Sequence, residues 1–245
     1  MTFSTGGSLT AYRILRLAFV LLLVLPISLS IISEALAHGV SGGDAEFLAS
    51  AQGMHLGAYF YLGAKHMVTG YDHLLFLVGV VFFLSRFRDV VIFVSLFSLG
   101  HSITLLLGVL SGITISSYLV DAIIGLSVVY KALDNLGFFE ATLGFVPNQK
   151  MAVFGFGLVH GFGLSTKLQD IALSPDGLVP NMLAFNVGVE VGQVVALAAI
   201  LILMNAWRGT KSFERHARAA NIVLMMLGFV LFFYQAFGFY LEMNA

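Results

Sequence analysis

The chain has 245 residues, of which 59% are hydrophobic and 10% charged, with a net charge of −1 at pH 7. That balance belongs to an integral membrane protein and not to a soluble domain of this size, and the lack of a basic excess excludes nucleic acid as a partner. With no cysteine, disulfides, thiolate metal sites and iron–sulfur ligation are excluded as well, so any metal must be held by His, carboxylate, amide, Met or backbone oxygen.

At the N-terminus, Arg13 and Arg16 precede the apolar run LAFVLLLVLPISLSII, which leads into SEALA and then HGVSGG. A basic region, an apolar region and an A-x-A site at Ala35, Leu36 and Ala37 are the layout of a signal peptide. Cleavage after Ala37 makes His38 the first mature residue, whose free amine and imidazole together could chelate one ion. If uncleaved, the segment becomes a seventh span.

The expected organisation is therefore a signal peptide over 1–37, a periplasmic lead-in and interfacial helix over 38–66, and a six-helix transmembrane domain over 67–245. Within the lead-in, MHLGAYFYLGAK (54–65) has tyrosines suited to the headgroup region. Six spans follow, at about 67–85, 89–110, 115–136, 149–166, 181–206 and 220–241, each near the ~20 residues that a bilayer requires. The fold class is all-α, a polytopic transmembrane bundle without internal repeats. With the mature N-terminus outside, the inner side holds Arg86, Arg88, Lys131, Lys150, Arg208, Lys211, Arg215 and Arg218, against Lys65 and Lys167 outside. This is a positive-inside pattern, expected for a bacterial inner membrane.

Polar residues inside the spans fall at matched depths on the helix rise of ~1.5 Å per residue. His73 lies about 9 Å below the outer surface, His101 about 13 Å and His160 about 9 Å. Asn186 and Glu190 lie about 8 and 14 Å down, and Asp121 about 9 Å. Asn186, Glu190 and Gln193 share one helix face by their i, i+4, i+7 spacing, and Ser102 adjoins His101. Taken singly, a buried His is a helix–helix hydrogen-bond partner, Glu190 a structural ion-pair partner, and a glycine a packing residue. Depth-matched polar groups on five helices instead describe an outward-opening polar cavity.

Neutral imidazoles with carboxylate and amide oxygens suit borderline divalent ions such as Ni, Co, Zn or Cu. Asp72 and His73 are neighbours and diverge by ~100° on an ideal helix. Either a break at Gly70 or a supporting role for Asp72, accepting the imidazole N–H, resolves this. The sequence HGFG, from His160 to Gly163, offers a further irregular or closely packed turn.

HMVTGYDHLLFL, FSLGHSITL, VHGFG and AFNVGVEVGQ, in this order between His55 and Leu203, resemble the successive signatures of the HupE/UreJ family of bacterial membrane proteins. The resemblance implies a six-helix inner-membrane protein associated with nickel uptake for hydrogenase or urease maturation, and hence maturation proteins as partners. It also implies that the H-x5-D-H element, His66, Asp72 and His73, binds metal. The residue after His66 is Met67, where members close to the nickel permeases carry Pro. The expectation is a permease for a divalent transition metal, nickel first, with His66, Asp72, His73, His101, His160 and Glu190 as ligands. His38, Ser102, Asp121, Asn186 and Gln193 support them, no cofactor is tightly bound, and the bilayer is the solvent. Two alternatives stand beside it. One is a zinc-dependent intramembrane hydrolase in which Ser102 polarises an acyl oxygen, and the other is an accessory subunit for membrane metalloenzyme assembly.

Overall fold

A bilayer demands that every backbone polar group be paired within the protein, so apolar segments of this length are driven into helices. The computed structural model describes residues 42–84, 86–171 and 174–244. The expected signal peptide and His38 lie outside the described residues. Among the described residues run nine helices and no strand: α1 Gly42–Ser50, α2 Leu56–Thr69, α3 Tyr71–Val81, α4 Phe87–Ser111, α5 Ser117–Asn135, α6 Phe138–Leu143, α7 Gln149–Gln169, α8 Leu178–Arg208 and α9 Lys211–Met243. Four of them, α4, α7, α8 and α9, are long and apolar enough to cross a membrane. The 19-residue α5 carries Asp121, Lys131 and Asp134, and α3 is apolar but only 11 residues long.

The first span differs from its expected form. The continuous helix expected over 67–85 is broken at Gly70, whose extended backbone (φ −69°, ψ 98°) ends α2 and opens α3. Its N–H donates to the His66 carbonyl at 2.9 Å, and its own carbonyl accepts from the Leu74 N–H at 2.9 Å. The segment expected as a separate interfacial helix over 54–65 is continuous with the start of that span. The reason lies in its packing on α8. A Cβ on Gly63 would run into the Phe185 carbonyl, and one on Gly188 into the Phe60 carbonyl, so the two backbones touch.

Two other helix pairs form in the same way. Gly157 of α7 lies under the Phe97 carbonyl of α4, and Gly125 of α5 lies against the Phe232 backbone of α9. The hydroxyl of Thr104 reinforces the α4–α7 pair by donating to the Leu158 carbonyl at 2.6 Å. In α7 the helix runs unbroken through His160–Gly163. The glycine after His160 serves close packing, because a Cβ on Gly161 would meet the His101 carbonyl. The short α3 contacts α2, α4, α5, α8 and α9, and its side chains Phe76 and Leu77 are buried with Phe97, Leu105 and Phe185. That central position brings His73, at the N-terminal end of α3, within reach of several helices.

Candidate metal centre

The break at Gly70 sets the site. Freed from a continuous helix, Asp72 bends back onto its neighbour. Its Oδ1 accepts the His73 backbone N–H at 2.7 Å and the His73 Nδ1–H at 2.8 Å. With the proton held on Nδ1, the Nε2 lone pair is the one presented to an ion. A Cβ on Gly70 would stand 3.0 Å from His73 Nδ1 and 3.3 Å from Asp72 Oδ1, so a glycine leaves room for this bond. The ~100° divergence of adjacent helical residues is thus resolved locally: Asp72 orients, and His73 faces the interior.

His73 is the hub of four imidazoles. Its ring centroid lies 5.1 Å from His66, 5.8 Å from His101 and 4.8 Å from His160, each pair edge to face. One ligand atom each from His66, His73 and His101 lie within 4.8 Å of one another. Three imidazole nitrogens on one tetrahedral ion at about 2.1 Å stand about 3.4 Å apart. At its widest the cluster is about 1.4 Å wider than that spacing requires. His73 is 2% exposed and His101 1% exposed. The Nε2 of His73 and both ring nitrogens of His101 have no hydrogen-bond partner among the described residues. Buried acceptors in this state carry a desolvation cost that a cation would offset. Phe97 packs against the cluster, with its ring 6.2 Å from His73, 6.2 Å from His101 and 5.0 Å from His160. Phe185 lies 6.5 Å from His66.

The other expected site residues divide. His160, 1% exposed, has its Nε2 3.2 Å from the Ser127 hydroxyl, so it joins the ring cluster while hydrogen-bonded on its far side. Glu190 accepts from the hydroxyl of Ser102, the residue after His101, at 3.2 Å and lies outside the three-histidine group. Asn186, one turn before Glu190, has a buried Oδ1 without a hydrogen-bond partner among the described residues. Gln193 ties α8 to α4 by donating to the Val94 carbonyl at 3.2 Å.

Asp121, at similar depth in the sequence reading, binds Lys167 at 2.7 Å and Gln235 at 3.4 Å. Its carboxylate serves an ion pair between α5 and α7. Lys131, counted with the inner-side cations, is buried within α5 and paired with Asp134.

Sequence reasoning missed Ser127 and Phe97. Ser127 carries a readable signal, since Ser127, Lys131 and Asp134 recur at i, i+4 and i+7 on one face of α5. Phe97 carries none, being one of 23 phenylalanines.

Compared with known proteins, residues 43–243 match the family model described as HupE / UreJ protein. No curated protein and no solved structure matches the chain.

Proposed function

This chain belongs to the HupE/UreJ family, and we propose that it is an inner-membrane permease for a divalent transition metal, nickel first among Ni, Co, Zn and Cu. The family is associated with nickel or cobalt transport and with urease and hydrogenase maturation. The observation that carries the reading is the open cluster of His66, His73 and His101, with the His73 tautomer fixed by Asp72. Neutral nitrogens without thiolate select borderline ions. A donor set held wider than a closed tetrahedral cage favours binding that also lets go, as permeation requires.

In this reading six spans cross the membrane: the broken α2–α3 segment, α4, α5, α7, α8 and α9. The signal peptide is cleaved after Ala37, leaving the mature N-terminus in the periplasm. An ion arriving there meets His66 first, passes to His73 and His101, and has Glu190 and Ser102 alongside. Asp72 holds the His73 proton on Nδ1 throughout, so Nε2 stays a ligand and does not become a donor.

Purified protein in proteoliposomes tests this directly, with Ni, Co, Zn and Cu offered separately. Saturable accumulation of at least one ion is the expected result. A second reading draws on the same observation, because three histidines with a carboxylate behind one of them are also the ligand pattern of a hydrolytic zinc site. Accumulation of none of the ions, with one zinc retained tightly per chain, would favour that alternative over transport.

A further inference from the structure

The seam between α4 and α8 is built unlike the glycine contacts that flank it. Gly100 and Gly108 of α4 lie against α7, at Phe154 and Ser165, and Gly188 and Gly192 of α8 lie against α2, at Phe60 and Ala64. Across their own seam α4 and α8 meet through polar side chains. Gln193 Nε2 donates to the Val94 carbonyl at 3.2 Å, and the Ser102 hydroxyl donates to Glu190 at 3.2 Å.

Ser98 stands midway between these two cross-links. Val94, Ser98 and Ser102 recur at i, i+4 and i+8 on one face of α4. Both ends of that face are bonded to α8, so Ser98 faces α8 as well, about 6 Å along the axis from each. A helical hydroxyl can return to the carbonyl one turn back, as Thr104 does to Gly100 at 3.1 Å. The Ser98 hydroxyl has no hydrogen-bond partner among the described residues, although Ser98 is 5% exposed. Opposite it, Gln193 is 1% exposed and held by its amide nitrogen, while its Oε1 has no such partner either. Two buried oxygens are thus left over between two bonds that fix the helices around them.

The donors at this seam are all oxygens: the Glu190 carboxylate, the Gln193 amide and the hydroxyls of Ser98 and Ser102. Oxygen donors without imidazole or thiolate select hard cations, which sets the seam apart from the histidine cluster. A single carboxylate among neutral oxygens balances a single positive charge, and any charge left over in hydrocarbon is costly. We propose that the α4–α8 seam binds a hard monovalent cation of the sodium class, between Ser98 and Gln193, with Glu190 as its counter-charge. The site goes beyond the transport reading and does not depend on it.

The test is binding of radiolabelled sodium to the solubilised protein, with choline replacing sodium at constant ionic strength. Saturable binding that unlabelled sodium displaces, and choline does not, is expected of the wild type. Glu190→Gln is expected to weaken it by at least about 100-fold, because the counter-charge is lost in a low-dielectric seam. Ser98→Ala removes a hydroxyl that bonds nothing in the fold. That variant should melt at the wild-type temperature in choline and retain nickel as the wild type does, with sodium affinity at least about fivefold lower. A merely structural serine would leave sodium affinity unmoved. Absence of displaceable sodium on the wild type overturns the site, as does wild-type sodium affinity in either variant. Should Glu190→Gln fail to accumulate in cells, Ser98→Ala decides alone by the same measure. No flux enters these measurements, so the transport reading stands or falls separately, on metal uptake by proteoliposomes.

Discussion

The histidine layer and the polar layer around Lys131 are built from different residues and end in opposite states. In the outer layer His73 Nε2 and both nitrogens of His101 are buried with no hydrogen-bond partner among the described residues. In the inner layer Lys131, Asp134, Gln149, Asn135 and Asn221 are each bonded to a neighbour. Burying an unsatisfied polar group costs on the order of 1–3 kcal/mol, so a layer that leaves several in place is suited to a ligand. A layer that satisfies all of its groups is suited to holding a conformation. The contrast separates a layer fit for a ligand from one fit for structure, without reference to any relative.

The contrast breaks most visibly at His73. Replacing it with Ala is expected to lower uptake by more than about 100-fold, beyond the range seen when a mere supporting residue is lost. Abundance should stay near normal, because the unpaired Nε2 leaves with the ring while Asp72 keeps its bond to the backbone N–H of residue 73. Loss of abundance with normal uptake per molecule would instead make His73 part of the scaffold.

Asp72→Asn comes next. The amide accepts the Nδ1–H less strongly than a carboxylate, and metal affinity is expected to fall by about 10- to 100-fold. Titration of the solubilised protein with nickel or zinc reads that shift. An unchanged affinity would show that the Asp72–His73 bond does not tune the site.

A smaller effect is expected at the Ser102–Glu190 pair, which lies outside the three-histidine group. Ser102→Ala and Glu190→Gln should each slow uptake by up to about tenfold, and the double variant should be little worse than the stronger single one, as for residues acting as a unit. Additive losses would mean that the hydroxyl and the carboxylate serve separate steps. Equal retention of metal in all three variants would place their role after capture.

The smallest effect on uptake sharpens the comparison from the other side. Asp121 lies at the depth of the histidines but binds Lys167. Asp121→Asn should reduce the amount of folded protein, through about 1–3 kcal/mol of lost pairing, while uptake per molecule stays at the wild-type value. A thermal melt and a flux assay on the same preparation check both halves.

Much of this was readable in the chain itself, and the reason is the solvent. Hydrocarbon pairs no backbone group, so an apolar run long enough to cross must be helical, and the helical expectation for 89–110, 149–166, 181–206 and 220–241 follows from length and composition. Depth along a helix is also legible, since the rise per residue is fixed. His73, His101 and His160 therefore group by depth from the sequence alone.

Rotation about the helix axis is what depth leaves open. Asp121 shares the layer of the histidines, but the docking of α5 against α9, set by the close approach at Gly125, turns it to Lys167 and Gln235. Glu190 shares the layer too, and the α8 helix seats it on Ser102, to one side of the three-histidine group.

The sequence by itself determined the membrane class, the helices and the residues that could bind a metal, because bilayer thickness and helix geometry act on each segment alone. Only the tertiary structure decided which of them meet. Glycine contacts fix how close two helices come and how each is turned, and these are properties of pairs of segments. The division of labour between Asp72 and His73 belongs to the same class. Their spacing forbids them a common face, and the break at Gly70 lets the carboxylate turn back and hold the imidazole that faces the ion.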